Sequence, residues 1–301
     1  MAIGIDPTVD YAFKRLFGSP ECTGITIHFL NAVLDPPSPI VEIELLNPFL
    51  EKDSEEDKLS ILDVRASDDR GRLLNIEMQT SLPVALPERL IYYVSSLYAQ
   101  QLHSGEQYGQ LRPAVSICVL AHVLFPQITD PHSRFEMREV GQNVSLSEHL
   151  QVHLLELPKY NQGTAGLPNA TPLEKWLYFF RNARDLSAEE IDGQLLETAF
   201  NQAAGVLEMI ARTPREQELY EARLKLARDE QARLDYARRE GEARGEARGE
   251  ARGTRLGQIC ILQQLLGDQP TSVEKLRELS DEALQSQIDT LQTRLRNRDP
   301  Q

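Results

Sequence analysis

The sequence contains two carboxylates and an amide whose spacing would let them act together in one chemical site: Asp63, Glu77 and Gln79. Residues 58–80 contain two strand-like runs joined by a turn-rich segment, which predicts a β-hairpin. Side chains two positions apart share one face of a strand, so Glu77 and Gln79 face the same way. An odd-to-odd register then brings Asp63 opposite Asn75 or Glu77, whereas a slip of one residue would move Asp63 to the other face.

Two carboxylates that converge across a hairpin repel each other unless a cation lies between them. Hard oxygen ligands of this kind suit Mg²⁺ or Mn²⁺, with water and a phosphate oxygen completing the shell. Such a metal lowers the pKa of bound water and stabilises charge that develops on phosphorus, and Gln79 would lie beside that water. The spacing leaves an alternative open, in which the three residues are ordinary polar groups on a solvated hairpin face.

The elements around this hairpin predict a mixed α/β sheet domain over about residues 1–160. The almost continuously apolar run 114–125 predicts a strand in the centre of the sheet. The other expected elements are a helix that opens at Asp6-Pro7-Thr8, an apolar stretch at 25–34, an extended segment at 40–51, a solvated acidic loop at 52–58, a helix over 87–103, and strands at 133–140 and 151–157.

The rest of the chain predicts an all-helical C-terminal region. Residues 161–240 indicate helices, with an amphipathic stretch at 188–212, and 258–301 indicate a small helical module with a capped segment at 271–296. Between them, 241–257 carries an EARG repeat with like charges at every i,i+4 pair and a glycine in every fourth position. Each glycine costs a helix about 1 kcal/mol, so the repeat is either a charge-balanced linker or a helical stem through which copies associate. An arginine-rich nucleic-acid arm is the least favoured reading, since each Arg has a nearby Glu.

Composition narrows the class of protein. The formal net charge is −14, which argues against a broad basic face for duplex DNA but not against acids gathered around a cation. Three scattered cysteines form no zinc spacing and indicate free thiols in a reducing cytoplasm. No stretch reaches the roughly 18 apolar residues of a membrane helix, and the first residues lack the apolar core of a signal peptide.

Several ordered blocks extend the Asp63, Glu77 and Gln79 pattern across residues 5–160. They are DYAFKRLFG at 10–18, KLSILDV at 58–64, Arg89 with Tyr92 and Tyr93, Gly105 with Tyr108 and Pro113, and LELPKY at 155–160. In this order the blocks resemble the recombination-promoting nuclease / putative transposase family of the PD-(D/E)XK nuclease superfamily. The resemblance implies a restriction-endonuclease-like mixed sheet flanked by helices.

The resemblance also implies a function and a set of site residues. The expected activity is cleavage of DNA phosphodiesters with Mg²⁺, or with Mn²⁺ in its place, in recombination or mobile elements. It implies Asp63, Glu77 and the carbonyl of Met78 as metal ligands, and Asp10 as an acid from a helix that assists the metal. Asp10 has an equal alternative as an acid that favours a helix N-terminus.

The third site position departs from the superfamily's commoner lysine. Gln79 is neutral, so it orients water but contributes less electrostatic stabilisation, which predicts a slower nuclease. Lys14 has two readings, a phosphate contact or a solvent-facing side chain. The alternative function is a weakly active or inactive nuclease-fold protein that acts as an oligomeric binding or assembly module.

Overall fold

The computed structural model describes residues 1–46 and 63–297. By contacts the chain divides into two compact units, Met1–Arg228 and Asp229–Gln301. The sequence-based boundaries at residues 160, 240 and 257 stay predictions. No helix in the described part of the chain is long and apolar enough to cross a membrane.

The first unit contains a six-stranded mixed sheet, as predicted. Its strand order is β1-β2-β3-β4-β6-β5, with β3–β4 and β4–β6 parallel and the other neighbours antiparallel. All seven residues of β4 are buried, which confirms the central apolar strand. The strands are β1 Ile43–Leu46, β2 Val64–Asp68, β3 Leu73–Gln79, β4 Ala114–Leu120, β5 His132–Arg138 and β6 Ser145–Glu156.

Helices flank this sheet and follow it. Those of the first part of the chain are α1 Asp10–Phe17, α2 Thr23–Leu34, α3 Leu86–Ala99, α4 Pro172–Asn182, α5 Ala188–Leu195 and α6 Thr198–Arg212. They are followed by α7 Pro214–Leu266, α8 Val273–Arg277 and α9 Asp281–Arg296. The predicted fold class, a mixed α/β sheet with a helical C-terminal region, is therefore confirmed.

Two predicted helical segments differ from the sequence-based expectation, and one extended segment is described only in part. The first helix begins at Asp10, because the Asp6 carboxylate accepts from the Thr8 backbone and hydroxyl and forms a turn before it. The amphipathic stretch 188–212 is broken at Leu196, whose φ of 60° is left-handed. Of the extended segment 40–51, only the part to residue 46 is described, and the predicted loop at 52–58 lies outside the described residues.

The main core lies against one face of the sheet and is rich in aromatic rings. Trp176 is fully buried, and its ring centroid lies 4.7 Å from that of Phe200 and 5.6 Å from that of Phe17. Pairs at such distances contribute about 0.5–1.5 kcal/mol beyond their buried area. The Trp176 indole N–H donates to His28 Nδ1 at 3.0 Å, so the buried polar atom is satisfied. Helix α3 packs against the opposite face, through Leu86 and Leu90.

The second unit has its own small apolar cluster, which is formed by Ile259, Leu276, Leu284, Ile288 and Leu291. Ser272 and Ser280 accept hydrogen bonds from the first turns of α8 and α9, as a capped segment requires. The EARG repeat lies within α7 and is helical, with opposite charges one turn apart at its start: Arg238 with Glu242, and Glu240 with Arg244.

Candidate active site

The hairpin of β2 and β3 sets the register of the site. Val64 pairs with Ile76 and Arg65 with Asn75, so extending the ladder by one residue places Asp63 opposite Glu77. The odd-to-odd register predicted from the sequence is therefore confirmed, while residues 58–62 of the predicted hairpin lie outside the described residues.

The hairpin turn explains how this register is held. The Asp68 carboxylate accepts from the backbone N–H groups of Arg70 and Arg72 and pairs with the Arg72 guanidinium at 2.5 Å. Gly71 takes a φ of 75°, a left-handed conformation that suits glycine. These local bonds close the turn and leave Asp63 and Glu77 at the opposite end of the hairpin.

The polar face of β3 is buried. Asn75 and Glu77 are 0% and 2% exposed, and they lie on the side of the sheet that α3 covers, next to Ser116 and Cys118 of β4. The other side chains, Leu74, Ile76 and Met78, belong to the main core. The predicted division into an apolar and a polar face is correct. The alternative, in which Asp63, Glu77 and Gln79 lie on a solvated hairpin face, is wrong for Glu77, which is buried.

Glu77 is a buried carboxylate with weak partners. Its Oε1 accepts from the Asn75 amide at 3.1 Å, and its Oε2 accepts from the Gln79 amide at 3.5 Å. The Arg89 Nη2 lies 3.8 Å from Oε2, beyond hydrogen-bond distance. Burial, and then the charge of Asp63, raise the pKa of Glu77 to about 7. Such a site favours a bound cation, which would hold the carboxylate ionised.

Asp63 bridges a helix and a strand. Its Oδ1 lies 3.2 Å from Lys14 Nζ, and its Oδ2 accepts from the Met78 backbone N–H at 3.0 Å. Burial raises the pKa of Asp63 despite the opposing charge of Lys14 and the Met78 hydrogen bond. The structure thus brings Met78 to the site through its amide, while a role for its carbonyl stays a prediction.

Asp10 is connected to this cluster through Lys14. Lys14 Nζ lies 2.7 Å from Asp10 Oδ1, one turn earlier on α1, so the ammonium lies between two carboxylates. Burial lowers the pKa of Lys14, but hydrogen bonds and charge from Asp10 and Asp63 outweigh it and raise the pKa overall. Asp10 is also the first residue of α1, and its Oδ2 lies 3.7 Å from Arg223 Nε. Its place at the N-terminus of α1 agrees with the second interpretation, and its role as an acid that assists a metal stays a prediction.

Three nearby residues were not predicted as members of the site: Asn75, Arg89 and Ser116. Asn75 donates to both Glu77 and Ser116, and its position two residues before Glu77 was the available signal. Arg89 appeared only as part of a motif. Ser116 has no sequence signal, because it is brought to Asn75 by the parallel β3–β4 register.

The donor set fits a hard divalent cation. Among the described residues there is no group of three His, Cys, Asp or Glu side chains arranged to hold a metal. The cluster does offer two carboxylates, and Asn75 Oδ1 is a buried amide oxygen without a hydrogen-bond partner in the described structure. Carboxylate and amide oxygens are the ligands that a small hard cation prefers, so the residues present fit such an ion.

A mixed sheet flanked by helices, with two acids facing each other at one end of a hairpin, agrees with the restriction-endonuclease-like α/β class that the motif blocks implied. The family model of the PD-(D/E)XK nuclease family transposases matches residues 7–237, and the chain belongs to this family. The relationship that the motif blocks suggested is thereby confirmed. No curated protein and no solved structure gives a significant match to the chain.

Proposed function

We propose that this protein is a divalent-metal-dependent DNA endonuclease linked to recombination or mobile elements. The observation that carries the proposal is the pair of carboxylates formed by Asp63, which is partly buried, and Glu77, which is fully buried and accepts only two long hydrogen bonds from side-chain amides; the two face each other across the hairpin. Membership of the PD-(D/E)XK nuclease transposase family supports a nuclease role and DNA as the partner.

The metal in this proposal is Mg²⁺, with Mn²⁺ as an alternative. Asp63 and Glu77 would hold it, together with the Met78 carbonyl. When bound there, a divalent cation supplies positive charge to the phosphate and increases the acidity of a coordinated water. The raised pKa of Glu77 supports this assignment, since a carboxylate that is ionised only with difficulty alone is stabilised by a cation.

The chain's own residues hold the other parts of the site in place. The Gln79 amide contacts Glu77 and is placed to orient a water, while Lys14 brings an ammonium to Asp63 that Asp10 keeps in position. Burial of Glu77 beneath α3 limits its contact with bulk water and strengthens the electrostatic interactions of its carboxylate. In the hydrolysis, the water oxygen bonds to phosphorus, a phosphorus–oxygen bond to one sugar breaks, and a proton ends on the leaving oxygen.

Two further parts of the proposal concern the whole chain. We infer that the helical C-terminal region joins copies of the protein into a homo-oligomer, with the EARG segment of α7 as the stem. We also place the protein in the cytoplasm, because the three cysteines Cys22, Cys118 and Cys260 are free thiols in the structure.

A plasmid-nicking assay tests the nuclease activity. The full chain is incubated with supercoiled DNA in Mg²⁺, in Mn²⁺ and in EDTA, and relaxed product is measured. We expect nicking with either metal and none in EDTA, and we expect Asp63→Asn to abolish it. Asp69→Asn makes the same change in the exposed hairpin turn and should cut normally. Equal activity of Asp63→Asn and Asp69→Asn would refute the assignment.

A second function, as a weakly active assembly module, is favoured by one observation. Gln79 carries no charge and approaches Glu77 only at 3.5 Å, so the third site position contributes little electrostatic stabilisation. On this alternative the wild-type protein forms oligomers in sedimentation measurements but gives no metal-dependent nicking above the level of Asp63→Asn. The same assay therefore separates the two functions.

A further inference from the structure

Two cations lie at the acidic cluster, and they differ in how fully they are paired. Lys14 Nζ lies between two carboxylates, at 2.7 Å and 3.2 Å, so its charge is neutralised by the chain itself. Arg89 makes only one, longer ion pair, in which its Nη2 lies 3.8 Å from Glu77 Oε2 and forms no hydrogen bond with it. The Nε of Arg89 is buried and has no hydrogen-bond partner within the described structure. A buried donor without an acceptor costs about 1–3 kcal/mol, and an anionic ligand would remove that cost.

Helix α3 holds the Arg89 guanidinium in a defined place. The guanidinium carbon lies 5.5 Å from the ring centroid of Tyr93, one turn later on the same helix. Such stacking orients the planar group without using its N–H donors. Leu86 and Leu90 of the same helix are buried against the sheet, so the backbone that carries Arg89 is fixed. The Arg89 side chain is still 34% exposed, and a ligand from solvent can reach it.

The third site position on β3, Gln79, carries no positive charge. Gln79 is an amide, and a phosphodiester that approaches Asp63 and Glu77 brings a further negative charge. We propose that the Arg89 guanidinium contacts a non-bridging oxygen of the DNA phosphate at this site and supplies the positive charge that Gln79 lacks. The inference rests on the proposed nuclease function, which it deepens by assigning the phosphate-contacting cation.

The contact acts both in binding and in the reaction. The guanidinium acts only as a hydrogen-bond donor and a positive charge, and it takes no part in proton transfer. Its fork geometry matches two phosphate oxygens, and the bonds strengthen as the attacking water adds charge to the phosphorus centre. The bond changes are those of hydrolysis, with one phosphorus–oxygen bond formed and one broken.

A binding experiment tests the contact without catalysis. Anisotropy of a short fluorescein-labelled DNA duplex is measured with the full chain in Ca²⁺, which replaces the catalytic metal, over a range of salt concentrations. We expect Arg89→Met to lower the slope of log affinity against log salt by about one. Arg89→Lys should keep the slope, because it keeps the charge.

Arg134→Met is the matched control. Arg134 lies on the edge strand β5, and its side chain is 43% exposed, which is similar to the exposure of Arg89. The variant therefore removes the same charge as Arg89→Met, but away from Asp63 and Glu77. It should leave the salt slope unchanged. Melting temperatures of all variants are measured alongside, so that a loss of fold is recognised as such.

A cleavage experiment with Mg²⁺ provides the second test. Arg89→Met should lower kcat by about a hundredfold or more, which is the size expected when one transition-state donor is lost. Added guanidinium ion should restore part of that loss. Gln79→Lys should restore at least about tenfold in the Arg89→Met background, because it returns a cation to the opposite side of the site.

The results of the two experiments separate the phosphate contact of Arg89 from the nuclease function. An unchanged salt slope in Arg89→Met, or a loss of kcat that neither guanidinium nor Gln79→Lys restores, overturns the phosphate contact and leaves Arg89 a structural residue. A wild-type protein that binds the duplex but does not cut it refutes the nuclease function, and the salt slope alone then decides the role of Arg89. A wild-type protein that neither binds nor cuts DNA overturns both.

Discussion

Two buried glutamates of the same sheet, Glu77 on β3 and Glu156 at the end of β6, have opposite surroundings. Glu156 is 0% exposed and accepts from the backbone N–H groups of Leu124 at 2.5 Å and Phe125 at 3.0 Å, and it forms an ion pair with Lys159. Glu77 is 2% exposed, and its two hydrogen bonds are longer and come only from side-chain amides.

The difference separates structural from functional buried charge. Lys159 also donates to the Phe125 carbonyl at 3.0 Å, so the charge of Glu156 is paired within the chain and the cluster holds the segment that follows β4 in place. By contrast, the pKa of Glu77 is raised, the Asn75 amide oxygen beside it has no hydrogen-bond partner in the described structure, and the Arg89 guanidinium makes only a long ion pair with it, at 3.8 Å. Buried charge that is left under-compensated indicates a site prepared for a ligand.

The largest expected effect is on cleavage. Glu77→Gln should lower DNA nicking by about a thousandfold or more, equivalent to about 4 kcal/mol of barrier, because the amide removes one anionic ligand. Its melting temperature should not fall, since a weakly compensated buried charge is replaced by a neutral group of the same shape. Nicking and thermal unfolding are measured on the same preparation. A variant that is both inactive and unfolded would show that Glu77 is structural, like Glu156.

The next effect is on stability. Glu156→Ala should lower the free energy of unfolding by about 3–5 kcal/mol, because it leaves the buried Lys159 ammonium and two backbone N–H groups without their acceptor. Urea unfolding checks this value. The double variant Glu156→Leu with Lys159→Met removes both charges and should recover much of the loss. If Glu156→Ala unfolds like the wild type, the comparison with Glu77 fails.

A third buried ionisable group gives a pH-dependent effect. His153 Nδ1 lies 2.9 Å from His132 Nε2, and burial, followed by the charges of His132 and Arg134, lowers the pKa of His153 to about 3. The unfolded chain binds this proton near pH 6.5, so between pH 6.5 and about 3 it binds more protons than the folded chain. The contribution of His153 to stability is thus complete above pH 6.5 and is lost as the pH falls, by about 2 kcal/mol at pH 5.

Urea unfolding at pH 7 and pH 5 measures that loss. His153→Gln should flatten the difference between the two pH values, whereas His149→Gln, which changes a histidine hydrogen-bonded to the Tyr98 hydroxyl, should keep it. The pKa of His132 is also lowered, mainly by burial, so a smaller slope should remain in His153→Gln. An unaltered slope in His153→Gln would assign the acid sensitivity to other groups.

The smallest effect is expected in the EARG segment, where no charge is buried. Gly245→Ala adds a methyl group that meets no atom within 4 Å and should stabilise the α7 helix by up to about 1 kcal/mol. Circular dichroism of the full chain checks the gain in helix stability during heating. Plasmid nicking should stay at the wild-type rate, and a change in it would connect the repeat to the site.

Local patterns in the sequence predicted much of this molecule. The alternation in β3 separated Leu74, Ile76 and Met78 from Asn75 and Glu77, because successive side chains of a strand point to opposite faces. The apolar run that became β4 predicted a central strand for the same local reason. Sequence patterns predicted helix boundaries less well where one side-chain hydrogen bond sets the backbone conformation. At Asp6 the carboxylate accepts from the Thr8 N–H and forms a turn instead of capping α1.

The sequence by itself determined which residues could do chemistry and that Asp63 and Glu77 could face each other across a hairpin. Only the tertiary structure decided that the polar face is buried beneath α3, that β4 brings Ser116 to Asn75, and that Arg89 lies 3.8 Å from Glu77. The physical reason is that side-chain alternation is local, whereas desolvation and the distance between charges depend on segments far apart in the chain.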